Sequence, residues 1–368
     1  MKPKIHLSLI ALFIAFTLYN CSSSNDPIEK PEEENPTPET LYFPPIGSDD
    51  WETYSLTELN WNEAALQPLL NLVEEKGSKA FIILKNGKIV VEWYSEDFSA
   101  TENHTWNSAA KTLTAYTMGI AQKEGYLNIY DSSQDYLGAN WSSMTDQQEK
   151  NITIWNHLTM TTGMDYNVEN NSCTEPSDLL YKNEPSTYWY YHNASYRLNL
   201  DIITGATGIP FTDYFNEKLK NKIGMQGVWI PLGCFNLFYS TARSMARFGL
   251  LNLNNGIWDN TTILSDTEYL NAMTNTSQNL NKAYGYLWWL NGKDSFKLPQ
   301  YEDDFSGKLI PDAPDDLIAG LGKSDQKVYV VTSKKLVVVR MGDDSGDTTF
   351  GPSSFDNELW IKINALTN

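Results

Sequence analysis

Ser-x-x-Lys occurs twice in this chain, as Ser108-Ala109-Ala110-Lys111 and as Ser324-Asp325-Gln326-Lys327. A serine hydroxyl is a poor nucleophile until a neighbouring base takes its proton. A lysine can be that base if it is held neutral, and burial or the positive end of a helix dipole favours the neutral form. Local structure separates the two tetrads. A helix is expected to begin near Ser108, to carry Leu113, Tyr116, Ile120 and Ala121 on one face, and to stop at Gly125. On a helix, residues i and i+3 share a face, so the Ser108 hydroxyl and the Lys111 amine can meet. Ser324 lies at the edge of an expected strand, where residues three apart point to opposite faces. Ser108 and Lys111 are therefore the candidate catalytic pair, and the N–H of Ser108 is a candidate oxyanion donor. The bland alternative is a cap serine followed by a solvated lysine.

A second candidate group lies in Trp189-Tyr190-Tyr191-His192-Asn193. Tyr191 and Asn193 fall on the same side of an extended or turning segment, and His192 on the other, where it reads as structural. Tyr191 is expected to relay a proton between Ser108 and a leaving group, and Asn193 to bind an acyl-side amide. In so aromatic a stretch, packing alone would also explain a tyrosine. No Gly-x-Ser-x-Gly elbow is present, which argues against an α/β-hydrolase. The four histidines and three cysteines show neither HExxH nor CxxC spacing, so no metal site and no cofactor is expected. A net charge of −19 disfavours nucleic acid as a partner.

Taken in order, several motifs resemble the penicillin-recognising serine hydrolases, the serine β-lactamases and D,D-peptidases with their esterase-like relatives. They are Ser108-Ala109-Ala110-Lys111, the stretch from His157 to Gly163, Tyr191-His192-Asn193, Ser240-Thr241-Ala242-Arg243 with the run from Met245 to Leu250, and Tyr284-Gly285-Tyr286. The resemblance spans nearly all of residues 50–368. It implies an acyl-enzyme on Ser108, a base role shared by Lys111 and Tyr191, and an oxyanion held between the N–H of Ser108 and a backbone N–H near Lys323. The third motif departs from the family. Where the family has Lys-Thr-Gly or a His/Gly variant, this chain has Ala319-Gly320-Leu321-Gly322-Lys323. The final glycine is kept, but the leading cation, placed at Ala319, is missing. Gly322 and Lys323 are the remaining candidate substrate-binding residues. Without that cation, neutral esters or amides should be preferred to carboxylate-bearing β-lactams. Two alternatives stand beside the ester or amide hydrolase. One is a D,D-carboxypeptidase or β-lactamase acting on cell-wall-like substrates. The other is a non-catalytic lipoprotein that binds peptides or glycans.

The elements that would position these residues follow from periodicity. Residues 62–76 read as a helix with Leu66, Leu69, Leu70 and Val73 on one face. Residues 79–94 read as a hairpin through Asn86-Gly87, a type I′ turn pair. Residues 284–290 read as an aromatic strand, 327–331 and 336–341 as a second hairpin, and 356–366 as a closing helix. Strands at both ends with helices between imply an α/β fold of the α+β type. Its antiparallel sheet is built from both chain ends and flanked by helices, with a helical lobe from the middle, β-lactamase/transpeptidase-like in the terms of the resemblance.

The N-terminus reads as an address. Lys2 and Lys4 precede an apolar run, residues 7–18, that is short of the roughly 20 residues of a membrane span. It ends in Leu18-Tyr19-Asn20-Cys21, a loose lipobox, so residues 1–21 are expected to be a lipoprotein signal with Cys21 lipidated. Residues 22–49 are expected to be an acidic Pro/Ser/Glu-rich tether, and 50–368 the hydrolase domain. Ser22-Ser23-Ser24-Asn25-Asp26 resembles signals that send Gram-negative lipoproteins to the outer membrane. In that oxidising setting Cys173 and Cys234 are expected to pair. The expected partners are a small-molecule or peptide substrate and the lipid anchor, with the domain a monomer.

Overall fold

The computed structural model describes residues 40–346 and 351–368. The expectations for residues 1–39, Cys21 among them, lie outside the described residues.

Helix α1 (Leu66–Glu75) follows a short 3-10 turn and buries Leu69 and Val73. Strands β1 (Ser78–Lys85) and β2 (Lys88–Tyr94) form the expected hairpin. Both turn residues have positive φ, 50° at Asn86 and 85° at Gly87, as a type I′ turn demands. Gly87 has a second reason to be glycine, because a Cβ there would lie 1.9 Å from the carbonyl oxygen of Tyr42. Strands β3 (Trp289–Leu290), β4 (Leu317–Gly322), β5 (Gln326–Val331) and β6 (Leu336–Gly342) complete a six-stranded sheet in the order β2-β1-β6-β5-β4-β3. Its pairs are antiparallel, and β1 pairs with β6, so the two ends of the domain meet in one sheet as expected.

Helices cover both faces of this sheet. Val328 and Val337 face Gly249 of helix α4 (Ala242–Leu253). On the other side Lys327 and Tyr329 meet Asp356 and Trp360 of helix α5 (Ser354–Thr367). Burial on both faces explains why Val328–Val331 of β5 and Leu336–Val339 of β6 read as apolar runs rather than alternating ones. The helical lobe contributes α2 (Lys111–Lys123) and α3 (Asn193–Thr207), which pack against each other. A smaller three-stranded sheet joins residues His104–Thr105, Phe235–Ser240 and Val228–Leu232, with the last at the edge.

Three expectations change. Helix α2 is buried all round from Lys111 to Ala121, not on one face. Two of its threonines satisfy themselves locally: Thr112 and Thr117 each donate to a carbonyl one turn back, at 2.7 Å, while Thr114 meets the Tyr196 hydroxyl at 3.4 Å. Residues 284–290 are a tight reversal, not one strand. Leu287 has φ of 59°, Gly285 N–H donates to the carbonyl of Trp288, and only Trp289–Leu290 joins the sheet. Finally, residues 42–49 pack on the domain, although their composition assigns them to the tether. Tyr42 N–H donates to the carbonyl of Asn86, and buried Arg247 donates to the carbonyls of Pro44, Pro45 and Ser48. A guanidinium has five donors in a fixed fork, so one side chain can tie down several turns of otherwise featureless chain.

Candidate active site

The nucleophile turn is set up by Asn107, whose φ of 46° is left-handed, a conformation asparagine tolerates better than most residues. Residues Asn107–Ala110 form a 3-10 turn, and Lys111 is the first α-helical residue. In a 3-10 turn, side chains at i and i+3 eclipse, which aligns Ser108 with Lys111 more closely than an α-helix would. The Lys111 amine donates to Ser108 Oγ at 2.8 Å and to Asn193 Oδ1 at 3.0 Å. It also lies 5.0 Å from the ring centre of Tyr191 and 4.4 Å from that of Tyr196.

These neighbours are all neutral. Lys111 is 4% exposed, and burial brings its pKa down to about 7. Burial pushes the Tyr191 phenol up, with the Ser108 hydroxyl beside it working against the shift. Its ring is stacked on Trp289 at 5.9 Å, which fixes where the phenol points. The two histidines near the site are held at about 4 by burial and so are neutral at pH 7. His157 spans the carbonyl of Ser195 and the Ser133 hydroxyl, a structural tie between two segments. His192 is buried beside Tyr191 and borders a recess shared with Ser108 and Asn193.

Asn193 opens helix α3 rather than continuing an extended segment. Its oxygen is occupied by Lys111 and its amide reaches Ser172 Oγ at 3.3 Å, so it holds the lysine while still lining the cleft. Gly322 ends β4 directly against the nucleophile turn. A Cβ at that position would stand 2.5 Å from the carbonyl oxygen of Trp106 and 3.0 Å from the nitrogen of Ser108. Asn107 Nδ2 donates to the carbonyl of Lys323 at 2.8 Å, fastening the strand end to the turn.

The missing cation now has a physical reason and a corrected position. Side chains alternate along a strand, so Ala319 points away from the face that carries Gly320 and Gly322. At Gly320 a Cβ would be 2.9 Å from Val328 and 3.1 Å from Thr112 of α2, which leaves no room for a side chain. The cleft is nevertheless not without cations. A volume of about 230 Å³ is bounded by Ser108, Lys111, Asn193, Lys323 and Arg197, with Phe235 and Leu237 on another wall. Arg197 and Tyr196 do not emerge from the sequence because the segment around Tyr191 and Asn193 reads as extended or turning, not as a helix start. On α3 they fall one turn after Asn193 and return to its face. Nothing local in the sequence announces Phe235 and Leu237 as cleft residues.

Cys173 and Cys234 form a disulfide with Cα atoms 4.7 Å apart. Cys234 borders the cleft next to Ser172, so the bridge braces its rim. Among the described residues no group of three His, Cys, Asp or Glu could hold a metal ion.

Comparison with known proteins agrees with this architecture. Residues 71–352 match the β-lactamase family. A relative from Bacillus subtilis, named as a penicillin-binding protein, is 24% identical over 246 residues. That match covers 61% of this chain and 59% of the relative, so the chain spans less than two thirds of that relative's length. A solved structure from Bacillus anthracis, named as a 6-aminohexanoate-dimer hydrolase, superposes with a TM-score of 0.64 at 18% identity, covering 89% of this chain and 87% of that one. Another from Bacteroides dorei, named as a β-lactamase, gives 0.65 at 15% identity, covering 84% and 99%. At such identities the structures speak for the fold, while the family match spans most of the sequence. The chain belongs to the β-lactamase family of serine hydrolases.

Proposed function

We propose that this protein hydrolyses an ester or amide through an acyl-enzyme on Ser108. The observation that carries the reading is the Lys111 amine, buried among neutral groups at 2.8 Å from Ser108 Oγ with its pKa lowered to about 7. Neutral Lys111 takes the Ser108 proton as Oγ bonds to the carbonyl carbon. Tyr191 passes its proton to the leaving group as that group's bond to the carbon breaks, and regains one from protonated Lys111. Water then attacks the acyl carbon, giving up a proton through the same pair that returns to Ser108 as the acyl group leaves. The N–H groups of Ser108 and Lys323 are the oxyanion donors in this scheme. The test is labelling with a fluorophosphonate beside ester turnover. Labelling should vanish in Ser108→Ala, and kcat/KM should rise as pH climbs through about 7, because Lys111 is the base only when deprotonated. Labelling that survives Ser108→Ala, or a rate that falls across that range, would sink the assignment. An unlabelled, inert protein would instead fit the binding lipoprotein.

A second reading, a D,D-carboxypeptidase or β-lactamase, is favoured by Lys323 and Arg197 at the cleft. They bring positive charge to the cleft wall, Arg197 while it also pairs with Asp201 at 3.5 Å, so the electrostatic case for neutral substrates alone is weaker than the sequence suggests. Nitrocefin turnover that collapses in Arg197→Ala would select this reading over a simple esterase.

We further propose that the protein is exported and anchored by lipid on Cys21, on the outer membrane of a Gram-negative bacterium. The Cys173–Cys234 bridge suits an oxidising compartment, and no helix of the described residues is long and apolar enough to cross a membrane. Cys21→Ser should release the protein from membranes. Retention in the membrane fraction would refute the anchor.

A further inference from the structure

Hairpin residues Val228–Leu232 and Phe235–Ser240 carry no charged side chain, and none occurs anywhere between Lys222 and Arg243. That is unusual for surface in a chain of net charge −19. It is more so for an edge strand, which natural proteins commonly guard with charge; here Pro231 is the only guard on that strand. The two faces of the hairpin differ. Trp229 and Phe238 point inward and pack with Trp106, Phe211 and Phe215. On the outer face, Val228 stands opposite Tyr239, Ile230 opposite Leu237, and Leu232 opposite Phe235. Directly opposed residues share a face, so these six make one apolar surface. Val228, Ile230, Leu232 and Phe235 are between 42% and 60% exposed.

This surface does not stop at the catalytic cleft but enters it. Phe235 and Leu237 belong to the apolar face and also to the wall of the volume that contains Ser108 and Lys111. The disulfide at Cys234 pins the hairpin turn next to Ser172, so the face is held in place before any ligand arrives. From Val228 to Leu232 the strand runs about 13 Å, at about 3.3 Å per residue. An extended aliphatic chain of roughly ten carbons covers that distance, because a zigzag of C–C bonds about 1.5 Å long advances about 1.3 Å per bond.

We infer that the hairpin face is a subsite for a linear aliphatic chain of the substrate, so that the class hydrolysed is an ester or amide bearing a medium-length acyl chain. This inference rests on the hydrolase reading above and adds its substrate class. The carbonyl sits at Ser108, and the chain leaves the cleft past Phe235 and Leu237 and lies along Ile230 and Leu232. Burying each methylene adds to transition-state binding until the chain outruns the face.

The experiment uses full-length protein and a series of p-nitrophenyl esters from acetate to decanoate. The expected result is a rise in kcat/KM of roughly twofold per methylene, less than full burial would give because the face is open on one side. The paired variant Ile230→Ser/Leu232→Ser should cut the decanoate-to-acetate ratio by about tenfold. Both residues are exposed, so folding should not suffer. Calorimetry on Ser108→Ala with decanamide and acetamide reads chain binding without turnover; decanamide should bind, and the paired substitution should abolish that binding. A flat chain-length series together with no decanamide binding would overturn the subsite while leaving the hydrolase intact. Absent turnover with decanamide binding retained would overturn the hydrolase and keep the subsite. If the paired substitution instead weakens vesicle binding and leaves the ratio unchanged, the face meets a lipid surface and the inference is wrong.

Discussion

Two lysines in this molecule complete a Ser-x-x-Lys tetrad, and both are buried: Lys111 is 4% exposed and Lys327 0%. Their surroundings are opposite. Lys327 lies 2.8 Å from a carboxylate oxygen of Asp356 and 3.0 Å from one of Asp325. Burial alone would raise the Asp325 carboxyl, but Lys327, Ser345 and Ser353 together bring it down to about 2. The group ties the β4–β5 turn and strand β5 to helix α5. Lys111 has only a hydroxyl, an amide oxygen and two aromatic rings around it. The same four-residue pattern thus yields a structural ion cluster in one place and a poised base in the other. What separates them is the presence or absence of a carboxylate, together with a turn that does or does not eclipse the serine with the lysine. Ser324 has φ of 56° in a left-handed turn, and its carbonyl, not its hydroxyl, is what Arg340 and Gln326 use.

The largest effect that would test this contrast is catalytic. Lys111→Met should lower ester turnover on the order of 10³-fold or more, close to the loss in Ser108→Ala, since members of one catalytic unit are not additive. Comparable loss in both, with unchanged circular dichroism, is the expected outcome; near-native turnover in Lys111→Met would end the contrast.

Next in size is the effect of Lys327→Met on stability. It strands two buried carboxylates and should cost about 3–5 kcal/mol in a urea melt. Lys111→Met should do the reverse. The lysine binds fewer protons folded than unfolded between about 7 and its ordinary 10.5, so native Lys111 weakens folding most below pH 7, and the penalty fades as pH rises to 10.5. A tenfold change in proton affinity is worth about 1.4 kcal/mol. The Lys111→Met gain should therefore be a few kcal/mol at pH 6 and near zero above about pH 10. Equal signs for the two substitutions would break the comparison.

The smallest effect is acid sensitivity. Asp325 contributes stability that is present above its unfolded value and is lost as pH falls towards about 2. A melt of Asp325→Asn should be less stable than native protein at pH 6 and converge on it near pH 2. Parallel curves would show that the carboxylate does not carry the cluster.

Much of this site is legible in the sequence, and the exceptions have causes. Ser108 and Lys111 can be paired because the relevant spacing is local. The sheet from both chain ends can be read because Asn86-Gly87 and the 327–341 hairpin carry strong turn and strand signals. Tyr191 and Asn193 stand out as well. That the Asn193 oxygen also holds Lys111 while its amide faces the cleft is not legible, because that contact joins two helices far apart in the chain. The empty place in the third motif falls at Gly320 rather than Ala319. That distinction depends on strand register against α2, a non-local fact. Arg197, Phe235 and Leu237 stay hidden because their relation to Ser108 exists only once the lobe and the hairpin are folded.

The clamp around Arg247 has a mechanical consequence. Its guanidinium holds the carbonyls of Pro44, Pro45 and Ser48, and lies 5.3 Å and 5.5 Å from the rings of Trp51 and Trp258, while neighbouring Arg243 holds the carbonyl of Asp49. A pull on the chain ahead of Thr40 would load the Tyr42–Asn86 backbone bond and then these bonds. The load then passes into α4, which lies flat against β5 and β6, and spreads across the broadest and best-paired part of the sheet. The site is not isolated from that path: strand Phe235–Ser240 of the cleft hairpin runs directly into α4 through Thr241, and Phe248 of α4 packs on Trp106 beside the nucleophile turn. A tug on the leading end would reach Ser108 through these two joints, after the sheet has shared the load.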